Sequence, residues 1–104
     1  MSRLVEILYF DDCPNWPPVA TAVDRLAREL EVAAAIRLVR VPSEDEALRL
    51  RFLGSPTVRV DGCDIEPGAE ERRDFALACR VYPWTDEGLA GVPPVGWIRA
   101  ALAG

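Results

Sequence analysis

Residues 4–18 read LVEILYFDDCPNWPP, and the change of character inside this stretch decides the fold. Leu4 to Phe10 is apolar and aromatic except for Glu6, the composition of a strand buried on both faces. Asp11 and Asp12 follow as turn formers, then Cys13, Pro14, Asn15 and Trp16. The pair Pro17-Pro18 suits the first turn of a helix, where a missing backbone N–H leaves no bond unmade. Val19, Val23, Leu26, Ala27 and Leu30 then recur at helical spacing with Asp24, Arg25, Arg28 and Glu29 between them, which predicts a helix with one buried face ending near Glu31. Strand, cysteine-bearing turn and helix form the opening of a βα unit. Cys13 thereby falls just beyond the carboxyl end of the strand, the side on which open α/β sheets build their sites.

Ile36 to Val41 alternates closely enough for a second strand, and Ser43 with Glu46 makes a capping box for a short helix ending at Gly54. Thr57 to Val60 is a third strand; Asp61-Gly62 is a hairpin signal leading to a fourth around Cys63 to Ile65. No sustained period marks Glu66 to Pro94, apart from Ala69 to Leu77, where a turn or two of helix is expected. Pro93-Pro94 then introduces an amphipathic helix carrying Val95, Trp97, Ile98, Ala101 and Leu102. The order β-α-β-α-β-β-α predicts one α/β domain over residues 1–104, with a mixed four-stranded sheet and an irregular insertion before the last helix. A chain of 104 residues that is 50% hydrophobic can fill one such core.

A net charge of −5 disfavours nucleic acid and anionic membrane surfaces as partners. The absence of His removes Cys/His and Ser/His catalytic pairs and imidazole metal ligands, leaving thiols and carboxylates for chemistry. No resident metal or cofactor is expected. MSRLVEILYF lacks the pattern of a secretory leader and no run reaches membrane-spanning length, so a cytoplasmic protein is expected. Three cysteines, an odd and sparse set, agree with a reducing compartment. The twelve basic residues are all Arg, which reads as coding bias of a GC-rich genome.

The element order, the motif Asp12-Cys13-Pro14-Asn15-Trp16 between the first strand and helix, and Gly54-Ser55-Pro56-Thr57 just before the third strand resemble the thioredoxin superfamily. The resemblance covers most of the chain outside residues 66–94. It implies a thioredoxin-like sandwich in which Cys13 is the active thiol and Ser55-Pro56 is a cis peptide bond beside it, with Trp16, Ser55, Pro56 and Thr57 around the substrate. The chain departs from the family at Trp16, which stands where the Cys-x-x-Cys motif has its second cysteine. Dithiol exchange needs a resolving thiol. Cys79 is the candidate, since a segment similar to Cys79-Arg80-Val81-Tyr82 precedes the C-terminal helix in short bacterial proteins, some labelled thioredoxin-family and some alkylmercury-lyase-like. Cys63, just after the hairpin turn, is read as incidental.

Three functions stay open. The first is thiol/disulfide exchange, or capture of a thiol-reactive ligand, by Cys13 with Cys79 as partner, acting on a thiol-containing protein or small thiol. Heavy-metal chemistry is the second: Cys13 and Cys79 grip mercury or an organomercurial, a soft cation that also offsets the charges of Asp11 and Asp12. In the third, a non-catalytic adaptor, Trp16, Trp84 and Trp97 serve as aromatic anchors.

Overall fold

The computed structural model describes residues 2–82 and 91–104; Trp84 lies outside them. In chain order the elements are β1 (Ser2–Tyr9), α1 (Trp16–Glu29), β2 (Ala33–Arg40), α2 (Glu44–Arg49), β3 (Thr57–Val60), β4 (Cys63–Asp64), a single 3-10 turn (Ala69–Glu71) and α3 (Val95–Ala103). The four strands form one mixed sheet in the order β2-β1-β3-β4, with β1 and β2 parallel and both other pairs antiparallel. The expected α/β class, mixed sheet and element order are present. No helix of the described residues is long and apolar enough to cross a membrane.

Register decides which side chains share a face. Val5 pairs with Val60 and Ile7 with Val58, and these four pack with Val19, Val23, Leu26 and Ala27 of α1 and Ile98 and Leu102 of α3 in the larger core cluster. The opposite face carries Leu8, which joins Val41, Ala47 and Phe52 beneath α2 in a smaller one. Pro17 and Pro18 occupy the first turn of α1, where their missing N–H groups leave no intrahelical bond unmade. Ser43 accepts from the amide of Glu46 at the start of α2, while the Glu46 carboxylate turns instead to Arg49. Asp61 and Gly62, with φ of 51° and 88°, make the hairpin turn.

Several boundaries differ from the sequence reading. Only the later part of β1 is buried on both faces, and Leu4 is 42% exposed. β2 begins at Ala33 rather than Ile36, because Ala33, Ala34 and Ala35 pair with Ser2, Arg3 and Leu4; tertiary pairing outweighs alanine's weak strand preference. α2 stops at Arg49; Arg51 then takes a φ of 55° and Phe52 turns into the core, so the helix never reaches Gly54. Ala69 to Leu77 is not a helix beyond its one 3-10 turn. Arg72 leaves it extended, gripping Glu66 on one side and Asp74 on the other, and Ala76 donates its amide to Phe52.

Candidate functional site

β1 and β3 run antiparallel with Leu8 opposite Thr57, so the chain leaves β1 at the end of the sheet where residues 54–56 lead into β3. Cys13 sits in the turn that follows β1. Its amide donates to the carbonyl of Phe10 at 3.1 Å, folding the turn back under itself, and its side chain is buried. Asp11, exposed in the same turn, takes two nitrogens of Arg40 at 2.8–3.0 Å, and the Arg40 guanidinium holds its carboxyl below the usual range. Asp11 is thus an ion-paired group rather than a free acid. Trp16 opens α1 and lies over Tyr9, with ring centroids 4.6 Å apart.

The Ser55–Pro56 bond is cis. Ser55, Pro56 and Thr57 are all buried, because residues 78–82 lie over this turn. The Ser55 amide donates to Ala78 and the Ser55 carbonyl accepts from the amide of Arg80, a parallel bridge that sets Cys79 directly beside Ser55. Along this segment exposure alternates: Cys79 and Val81 face out, Arg80 and Tyr82 face in. Cys79 is exposed, Cys13 is buried, Cys63 is exposed on β4, and all three are free thiols.

The inward residues were not picked out from the sequence, yet they hold the turn. Arg80, its side chain 1% exposed, donates to Thr57 Oγ1 at 3.0 Å, to both oxygens of Asp64 at 2.8 and 3.0 Å and to Glu66 at 3.1 Å. Its guanidinium also lies over the Tyr82 ring, 4.8 Å from the centroid. Burial works against its charge, but hydrogen bonding to Asp64, with help from Glu66, holds it more firmly protonated than usual. Tyr82 donates its hydroxyl to the carbonyl of Pro56, and burial pushes that phenol well above its ordinary range. The Thr57 hydroxyl, besides accepting from Arg80, donates to Gly54 at 2.6 Å. Gly54 has φ of +113° and lies so close that a Cβ there would stand 2.9 Å from Cβ of Arg80. The period-two pattern was visible in Cys79-Arg80-Val81-Tyr82, but with an arginine and a tyrosine on its inner face it does not read as a buried strand.

Among the candidate residues, the structure brings Ser55, Pro56, Thr57 and Cys79 into one substructure and sets the Cys13 turn at the same end of the sheet. Trp97 packs in the larger core and edge-on to Tyr82, 6.1 Å between centroids, which accounts for it as a core residue. Among the described residues no group of three or more His, Cys, Asp or Glu side chains gathers as a metal site. No protein-family model matches the chain, and neither a curated protein nor a solved structure matches it.

Proposed function

We propose that the protein is a thioredoxin-like thiol/disulfide exchange protein in which Cys13 is the attacking thiol and Cys79 the resolving one. The observation that carries this reading is the parallel bridge between Ser55 and Cys79. It fixes an exposed thiol beside a cis-proline turn, at the sheet end where Cys13 follows β1. Trp16 removes the resolving thiol from the helix side; Cys79 supplies one from the other. The Cys13 thiolate attacks a disulfide R–S–S–R′, forming Cys13–S–S–R and releasing R′S⁻. Attack by the Cys79 thiolate on Cys13 Sγ then releases RS⁻ and leaves a Cys13–Cys79 disulfide, so the substrate disulfide is reduced and the protein dithiol oxidised. Cys13 reaches its substrate by a local opening of the 11–15 turn, which among the described residues is folded back by the bond from the Cys13 amide to Phe10.

Intact-mass measurement after mixing the reduced protein with a small asymmetric disulfide tests the sequence of steps. In a Cys63→Ser background, which removes the other exposed thiol, the protein is expected to lose two hydrogens and carry no adduct, and with Cys79→Ser added to accumulate one mixed disulfide on Cys13. If Cys79→Ser forms no adduct at Cys13, or Cys13→Ser consumes the disulfide at the wild-type rate, the reading fails.

A further inference from the structure

The two edges of the sheet are unequal. β4 contributes two residues and ends its edge almost at once, whereas β2 offers eight, in unbroken register from Ser2–Ala33 to Tyr9–Arg40 with no bulge and no proline. The Val41 amide reaches back to Tyr9 at 2.7 Å. In a parallel ladder this means that residues 33, 35, 37, 39 and 41 turn their N–H and C=O groups toward β1, and that Ala34, Ile36, Leu38 and Arg40 turn theirs outward. Among the described residues those outward groups have no strand partner, since β2 is the end of the sheet order. Beside them Ile36 and Leu38 are 36% and 45% exposed, on the face that elsewhere forms the larger core.

We propose that β2 is a homodimer interface, in which the β2 edges of two copies of this chain pair antiparallel about a twofold axis at Ile36, joining two four-stranded sheets into one of eight. The edge is complementary to itself in only one central register. Outward-facing residues must pair with outward-facing residues, which leaves two centred choices: Ile36 opposite Ile36, or Arg37 opposite Arg37. The second sets like charges directly against each other in the closer, non-hydrogen-bonded pair, and is disfavoured. The first sets Ile36 on Ile36, Leu38 on Ala34 and Arg37 opposite Ala35 of the other copy. Each Arg37 stays within 3.9 Å of its own Glu6, which offsets the remaining diagonal approach of the two guanidiniums. At both ends it also brings Arg40, whose Nη1 is left free by the Asp11 pairing, to the exposed turn holding Glu31 of the other copy. An isologous contact of this kind repeats each favourable pair twice.

Sedimentation equilibrium over a wide concentration range, in reductant so that no intermolecular disulfide contributes, tests the proposal. Wild type is expected to rise toward twice the monomer mass. Ile36→Lys, which opposes two ammonium groups on the axis, should weaken that association at least tenfold with an unchanged circular dichroism spectrum. Should that variant fold poorly, oxidation of Ile36→Cys in a Cys13→Ser, Cys63→Ser, Cys79→Ser background supplies a second arm: it should cross-link to a covalent dimer while Arg37→Cys does not. A chain that stays monomeric at millimolar concentration, a dimer that Ile36→Lys leaves intact, or faster cross-linking from Arg37→Cys than from Ile36→Cys overturns the proposal.

Discussion

The two turns at the end of the sheet that carries Cys13 and Cys79 are built by opposite means. Around Ser55–Pro56 many hydrogen bonds converge: the Ser55 backbone bonds to residues 78 and 80, the Thr57 hydroxyl to Gly54 and Arg80, the Pro56 carbonyl to Tyr82, and the Arg80 guanidinium to two carboxylates, while Ser55 Oγ and Arg80 Nε are buried without a partner among the described residues. Around Cys13 the described residues show one turn-closing backbone bond, a tilted aromatic pair, an exposed ion pair from Asp11 and the Asn15 side chain close against Gly91. A buried network of hydrogen bonds admits one arrangement, because any departure leaves desolvated groups unpaired. Apolar packing with few directional bonds opens locally at lower free energy. On the proposed mechanism this contrast has a use: the cis-proline turn is a fixed platform, and the thiol turn is the part that yields.

The largest expected break in this comparison is Arg80→Met, which removes the guanidinium and leaves Asp64 and Glu66 facing an apolar side chain. Loss of one partner from a buried ionic network costs about 3–5 kcal/mol, which urea unfolding reads directly. Cys13→Ala, which empties a small buried site and breaks no side-chain hydrogen bond among the described residues, should cost about 1 kcal/mol. If Cys13→Ala proved the costlier of the two, the contrast between fixed and yielding turns would be wrong. Next comes Gly54→Ala, which forces a left-handed backbone on an L-residue and drives its methyl into Arg80. About 2–4 kcal/mol is expected from strain and overpacking together, and in a double-mutant cycle Arg80→Gly should recover only the part due to Cβ of Arg80, because the Arg80 Cα at 3.0 Å and the Ala78 carbonyl at 3.1 Å remain in the way.

Much of this arrangement was legible in the sequence, and what was missed has a physical pattern. The elements around Cys13 were readable because they are local. A strand period, a turn, a proline pair and a helix stripe each announce themselves within a few residues. The hairpin Asp61-Gly62 and the cap at Ser43 were readable for the same reason. Arg80 was not, because its meaning lies in partners 14–23 residues away that no spacing rule connects. Taking the all-arginine composition as coding bias hid it further: a lysine offers one ammonium, whereas this site uses a planar fork reaching Thr57, Asp64 and Glu66 at once. The Ala33–Ala35 start of β2 escaped because only the partner strand makes alanines extended there. The run from Ala69 to Leu77 suggested a turn or two of helix, but after the 3-10 turn Arg72 is extended and bonded to Glu66 and Asp74, partners that local spacing does not announce.

A milder sharpening comes from Tyr82→Phe, which keeps the buried ring against Arg80 and Trp97 and removes the hydroxyl from the Pro56 carbonyl. A loss of about 1 kcal/mol is expected. On the proposed mechanism, because the hydroxyl holds the Pro56 carbonyl next to the Ser55–Cys79 bridge, the rate of resolution by Cys79 should fall while adduct formation at Cys13 is unchanged. Equal slowing of both steps would show that the two turns are not separable.

The smallest effect belongs to the rim of the network, where Arg72 donates to Asp74 at 2.6 and 3.0 Å and holds its carboxyl down to about 2, against an ordinary 3.8. A folded-state value below the unfolded one means that the pair contributes its stability fully above pH about 4 and loses it as pH falls through about 2. Asp74 is largely exposed, so solvent screening limits the contribution to about 0.5 kcal/mol or less. Asp74→Asn should therefore lower stability slightly at neutral pH and converge on wild type near pH 2, measured as denaturant midpoints across that range. An Asp74→Asn deficit that persists unchanged below pH about 2 would mean that the pairing with Arg72 is not what the substitution removes.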